Sequence, residues 1–149
     1  LLGGGPLLND LQQLAARLGI AERVHFGGLV ASVDMPARYH DFDVLALPSL
    51  TRPNWKEQFG RALVEAMASG VPVVGSDSGA IPDVIGDAGL IVPEDDAAAL
   101  AAALTRLQSD AELRARLSDA GRQRVLDHFT HEQVAAATIR VYHEMLTRV

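Results

Sequence analysis

Val44-Leu45-Ala46-Leu47, stopped by Pro48, opens the stretch whose reading decides the fold. A polar loop from Ser49 to Gln58 follows, then a helical segment from about Phe59 to Ser69 closed by Gly70, then Val71-Pro72-Val73-Val74. Short apolar runs bounded by turn residues are the pattern of strands buried on both faces. Strand, loop, helix and strand in that order predict a parallel pair joined by a crossover helix.

The same alternation continues outward. On the amino-terminal side, Leu1-Leu2 before Gly3-Gly4-Gly5-Pro6 reads as the end of a strand entering a tight turn. Leu7, Leu11, Leu14, Ala15 and Leu18 repeat at helical spacing, with Gly19 where a helix C′ residue belongs. Val24 and Phe26 alternate in a short strand closed by Gly27-Gly28, and Asp34 is a helix cap with Pro36 near the first turn. On the carboxyl side Leu90-Ile91-Val92 is a further strand, and after Pro93 the character is helical only. One helix starts at Asp95 or Asp96, a second at about Ala111, and the last, Thr130 to Val149, opens with the capping box Thr130-His131-Glu132-Gln133. The fold class implied is α/β: a Rossmann-like parallel sheet flanked by helices, with an all-helical C-terminal third.

Composition narrows the function classes. The 149 residues suit a single domain, and 48% apolar with 21% charged residues is globular composition. Thirteen basic against nineteen acidic residues give a net charge of −6, which speaks against a nucleic-acid partner or an anionic membrane surface. There is no cysteine, so disulfides, thiolate metal sites and cysteine nucleophiles are excluded. The longest apolar run, Ala97 to Leu104, is too short to cross a bilayer. The start at Leu1-Leu2-Gly3, without methionine or basic leader, reads as a piece cut from something longer.

Parallel sheets bind ligands at the carboxyl ends of their strands, and three loops lie there: Gly3 to Pro6, Pro48 to Gln58 and Gly75 to Pro82. Gly3 and Gly5 fit the first two glycines of a dinucleotide fingerprint, but Leu8 stands at the third and no acidic residue follows at the right distance. A turn admitting some other ligand and a purely structural turn remain open for this loop. Gly75-Ser76-Asp77-Ser78-Gly79 has the outline of a nucleophile elbow with aspartate at its centre. Pro82 interrupts the helix such an elbow needs, so the expectation is that Asp77 bonds its own turn. Asp41-Phe42-Asp43 mimics a metal-binding Asp-x-Asp at the wrong end of a strand, and the five histidines are scattered, so no metal is expected.

The middle loop is the informative one. Glu57-Gln58-Phe59-Gly60-Arg61-Ala62-Leu63-Val64-Glu65 sets two carboxylates eight positions apart around a helix start. Gly60, read in the first helical turn, leaves room for a phosphate at unpaired backbone N–H groups. Glu65 lies about 7.5 Å further along the axis. Carboxylates accept hydrogen bonds from paired sugar hydroxyls, so a phosphate at the helix mouth between two of them suits a nucleotide sugar. Spacing alone fits equally well with Glu57 as a cap and dipole partner and Glu65 as a solvated residue.

The run Pro48-Ser49-Leu50, Glu57-Gln58-Phe59-Gly60 and Val64-Glu65-Ala66-Met67-Ala68-Ser69-Gly70-Val71-Pro72-Val73-Val74 resembles the retaining glycosyltransferases of family 4, specifically the C-terminal, donor-binding domain of their GT-B fold. Leu2-Gly3-Gly4-Gly5-Pro6 is similar to that family's glycine-rich turn, Val24 to Val30 to its next strand and loop, and Gly79-Ala80-Ile81-Pro82-Asp83 to Val92-Pro93 to the stretch after the Glu-x₇-Glu helix. The likeness covers nearly the whole chain. It implies one nucleotide-sugar-binding domain over residues 1–149, truncated at its N-terminal side and separated from an N-terminal acceptor domain.

The resemblance also implies roles. Glu57 contacts the transferred sugar and is the catalytic candidate, while Glu65 takes the ribose hydroxyls. The backbone around Phe59, Gly60 and Arg61 holds the diphosphate, Gly4 and Gly5 belong to the glycine turn of the site, and Val30 lies by the base. The nucleotide sugar is UDP- or GDP-linked, transfer retains anomeric configuration, and no cofactor or metal takes part. The partners implied are the nucleotide sugar and, through the missing domain, an acceptor glycan or lipid-linked sugar, in a cytoplasmic protein with peripheral membrane attachment left open. The family's phosphate-neutralising Arg and Lys belong to a segment before the glycine turn, so the expectation is that this piece transfers no sugar by itself, and its exposed sheet edge leaves self-association open. The loop Thr51-Arg52-Pro53-Asn54-Trp55-Lys56 is longer and more polar than is usual there, with Arg52 or Lys56 either a cation for the phosphates or solvent-facing. The alternatives are a non-catalytic nucleotide or sugar-phosphate binding module and an epimerase-type relative. The intact pair of glutamates stands against the first; a phosphorylase is disfavoured because Lys56 is the only lysine.

Overall fold

The computed structural model describes residues 1–147; the last two positions of the expected C-terminal helix, 148 and 149, lie outside the described residues. The chain divides into two compact units, Leu1–Arg38 and a second beginning at Tyr39.

In the first unit, α1 (Leu8–Arg17) carries the leucine repeat and ends in a Schellman motif. Gly19 takes φ +67°, its N–H donates to the Ala16 carbonyl, and the Ile20 N–H donates to the Ala15 carbonyl. The two expected strands of this unit do not form. Extended backbone pairs the two segments through three hydrogen bonds, from the Leu1 ammonium to the His25 carbonyl (2.7 Å), from the Gly27 N–H to the Leu1 carbonyl (2.8 Å) and from the Gly3 N–H to the Gly28 carbonyl (2.7 Å), without extending into strands. Gly3 at φ +120° and Gly28 at φ +67° leave the extended region, so a ladder cannot continue through either. A short α2 (Met35–Tyr39), with Pro36 in its first turn, spans the division between the units.

The second unit is built on a parallel three-stranded sheet in the order β1 (Leu45–Leu47), β2 (Val73–Ser76), β3 (Leu90–Val92). The crossovers are α3 (Arg61–Ala68) and α4 (Ile81–Ile85), and α5 (Ala97–Ser109), α6 (Ala111–His128) and α7 (His131–Thr147) follow. The central β2 is buried along its whole length. It starts two residues later than its apolar run, because Val71 is still bonded to the Ala66 carbonyl of α3 and Pro72 has no N–H to give a ladder. β1 was expected to be buried on both faces; as the end strand of this sheet it keeps Ala46 exposed between two half-buried leucines.

The two faces of β2 organise the core. Val74 packs with Val92, Leu107, Leu113 and Leu117. On the opposite face Gly75 lets α4 close down, since a Cβ there would lie 2.5 Å from Ile81 Cγ2. Leu63, Ala66 and Met67 bury the inner face of α3, and Gly121 of α6 fits over Met67. Asp96, not Asp95, caps α5 by accepting from the Ala99 N–H, Asp110 caps α6 in the same way, and Thr130 accepts from Gln133 N–H ahead of α7. No described helix is long and apolar enough to cross a membrane.

Candidate functional site

The carboxyl ends of β1, β2 and β3 deliver three loops to one end of the second unit, and the loop after β1 carries Glu57 into α3. α3 starts two residues later than its sequence pattern indicates. Gly60 is not in the first helical turn: at φ +72° it is the N-cap, a left-handed position that a glycine adopts without strain. Its N–H donates to Glu57 Oε1 at 3.0 Å, so this amide is already satisfied by the protein's own carboxylate. The Leu63 N–H donates to the Gly60 carbonyl at 2.8 Å. By helix geometry the remaining helix-mouth amides are those of Arg61 and Ala62.

Glu57 therefore acts as a cap as well as a candidate ligand. Its Oε2 accepts a long hydrogen bond from the Ser49 hydroxyl (3.4 Å), and its carbonyl accepts from the Ala80 N–H (3.0 Å). Gly79, at φ +56°, lies so close beneath it that a Cβ would run into the Glu57 carbonyl oxygen. Here glycine is required twice over, by backbone angle and by space.

Glu65 is held by side chains. The buried Tyr39 hydroxyl donates to Oε2 at 2.8 Å, and Arg61 Nε lies 3.1 Å from Oε1 in an i,i+4 pair. Burial, then the hydrogen bond to Glu65, push the Tyr39 phenol far above its ordinary range, so it stays a donor at any working pH. Arg61 is largely exposed and Glu65 about one-third exposed, which leaves the carboxylate accessible beside the helix mouth. The arrangement offers two fixed carboxylates with helix-mouth N–H groups between them.

A family model described as glycosyl transferases group 1 matches residues 1–124. The chain belongs to this family. It is 40% identical over 143 residues to the MMP alpha-(1->4)-mannosyltransferase of Mycolicibacterium hassiacum, covering 93% of this chain and 33% of that protein. It is 37% identical over 133 residues to the GDP-mannose-dependent alpha-(1-6)-phosphatidylinositol monomannoside mannosyltransferase of Mycolicibacterium smegmatis, covering 87% and 35%. This group 1 chain thus spans about a third of the length of these relatives. Among solved structures, the sucrose-phosphate synthase of Thermosynechococcus elongatus superposes with a TM-score of 0.81 at 28% identity, covering 99% of this chain and 39% of that one. The α/β, Rossmann-like class and the GT-B architecture follow from this likeness and from the parallel sheet.

The group 1 site residues named from the sequence divide between the two units. Gly4, Gly5 and Val30 belong to the first. Gly4 faces Leu29, whose Cγ a Cβ would approach to 3.6 Å; Gly5 has open space around it; Val30 is half-buried. Glu57, Phe59, Gly60, Arg61 and Glu65 come together around the start of α3 in the second unit. The exposed Phe59 ring packs edge-on against Phe129, with centroids 5.7 Å apart.

Two expectations about the neighbouring loops need correction. Asp77 does not bond its own turn; its Oδ1 accepts from the Glu94 N–H at 2.7 Å, tying the loop after β2 to the loop after β3. Pro82 starts a short helix rather than interrupting one, since it falls in the first turn of α4, where its missing N–H costs nothing. Residues 52–55 fold back on themselves through paired Arg52–Trp55 backbone bonds. Tyr39, Thr51, Ser78 and Glu94 were not singled out from the sequence as site-supporting residues. No local pattern marks Tyr39 or Glu94.

Proposed function

We propose that this chain is the nucleotide-sugar-binding domain of a family 4 retaining hexosyltransferase. The observation that carries the reading is the pair Glu57 and Glu65 at the mouth of α3, each carboxylate fixed by a different set of partners. Glu57 contacts the transferred hexose, Glu65 accepts from the ribose hydroxyls, and the backbone from Phe59 to Arg61 receives the diphosphate at the positive end of the helix. Gly4 and Gly5 allow close approach of the nucleotide sugar, and Val30 lies by the base.

In this reading the reaction needs no cofactor or metal. The departing diphosphate takes the acceptor proton as the new glycosidic bond forms on the same face, so the protein contributes positioning and charge stabilisation. Of the UDP- and GDP-linked alternatives, the name of the Mycolicibacterium smegmatis relative, a GDP-mannose-dependent mannosyltransferase, supports GDP-mannose. The acceptor, a glycan or lipid-linked sugar, is bound by a separate acceptor domain, the 149-residue chain transfers no sugar alone, and the whole protein works in the cytoplasm.

Calorimetric titration with UDP, GDP and ADP, repeated on Glu65→Ala, tests this reading. Saturable binding of one nucleotide, weakened about tenfold by the substitution, is the expected result, as for a lost hydrogen bond to a charged group. Binding unaffected by Glu65→Ala would overturn the ribose assignment.

A further inference from the structure

A second set of side chains joins the three strand-end loops outside the Glu57–Glu65 pair. Glu94, two residues past β3, accepts both hydrogen bonds that Thr51 can donate, the backbone N–H on Oε2 at 2.6 Å and the hydroxyl on Oε1 at 2.5 Å. Thr51 Oγ1 also lies 3.0 Å from the hydroxyl of the fully buried Ser78. Because the single Thr51 hydroxyl proton goes to Glu94, Ser78 is the donor in that contact. The Glu94 N–H is taken by Asp77 Oδ1, and the Asp77 N–H donates back to Val92 at the end of β3.

The residues next to Ser78 are the ones that hold Glu57. Ala80 donates to its carbonyl, and Gly79 packs directly beneath it. Thr51 lies in the same loop as Glu57. Glu94 thus fixes both the loop that carries the first glutamate and the turn on which that glutamate rests.

We propose that Glu94, through Thr51 and Ser78, is a positioning residue for Glu57 and so for the sugar of the bound nucleotide. Its consequence for sugar binding rests on the nucleotide-sugar reading above; the geometry of the clamp does not. The two Thr51 hydrogen bonds, opposed in part by desolvation and aided by smaller contributions from the Ser78 hydroxyl and then the Arg52 charge, lower the Glu94 carboxyl from its ordinary value, so it is a charged acceptor at neutral pH.

The test uses Glu94→Gln, Thr51→Val and the conservative Thr51→Ser, with two readouts. The first is amide hydrogen exchange at Gly60 and Ala80, whose N–H groups bond to Glu57, measured at one pH without ligand. The second is the ratio of affinities for GDP-mannose over GDP, and for UDP-glucose over UDP. Glu94→Gln and Thr51→Val should speed exchange at these two amides about five- to tenfold and erase the affinity gained from the sugar, with bare nucleotide binding unchanged. Thr51→Ser, which keeps the donor, should behave as the parent chain. Unchanged exchange at Gly60 and Ala80, or acceleration spread evenly through α3 and α6, would overturn the positioning role. Failure of the parent chain to bind either nucleotide sugar would instead remove the reading beneath it, with the exchange result still judging the clamp.

Discussion

The two units of this chain answer the same kind of sequence signal differently. In the second unit, apolar runs at 44–47, 71–74 and 90–92 become paired strands, and the central one is completely buried. In the first, the apolar pairs at 1–2 and 24–26 give extended backbone joined by three hydrogen bonds and no strand. Of the buried apolar residues among those described, only Ala15 belongs to the first unit; the others lie between Tyr39 and Val125. α1 forms where its leucines predict, yet Leu7, Leu11, Leu14 and Leu18 stay exposed. Local pattern selects a conformation, and layers packed on both sides turn it into a core.

The largest effect expected from this contrast concerns stability. Leu63→Ala, at a fully buried position of α3, should cost about 2–5 kcal/mol, while Leu11→Ala in α1 should stay below about 1 kcal/mol. Urea unfolding of the two variants measures both, and equal losses would erase the distinction between the units.

A smaller effect is expected at the contact between core and site. Tyr39→Phe removes only the hydroxyl that fixes Glu65, and keeps the ring that packs edge-on against Phe42. It should cost about 1 kcal/mol of stability and weaken nucleotide binding severalfold. Unchanged nucleotide affinity would show that Arg61 alone suffices to orient Glu65.

The smallest effect is electrostatic. The folded state lowers the Glu94 pKa, so its contribution to stability is complete above the ordinary glutamate value of about 4.3 and is lost as pH falls through the lower folded value. Melting temperatures of the parent chain and Glu94→Gln should therefore differ at neutral pH and converge on acidification below pH 4. A gap that widened in acid would have the wrong sign for this clamp.

How much was legible follows from the same physics. The crossover unit around α3, the carboxylate pair and the helix caps rest on short-range rules, and they can be read from spacing. The start of α3 was misplaced because Gly60 is left-handed, which its neighbours in sequence do not reveal. The absent strands of the first unit depend on backbone angles at Gly3 and Gly28. Tyr39 and Glu94 act through partners 26 and 43 positions away, separations that no local motif records. The Asp77 expectation failed for the same reason, since its partner Glu94 lies across the sheet end.

The central claim is that Glu65, held by Tyr39 and Arg61, receives the ribose hydroxyls of a bound nucleotide. Its most direct test is a cycle of four affinities, with GDP and 2′,3′-dideoxy-GDP each titrated into the parent chain and into Glu65→Ala. The account predicts that the parent chain prefers GDP by about tenfold and that the preference vanishes in the variant. A preference for GDP that survives Glu65→Ala undiminished would contradict it.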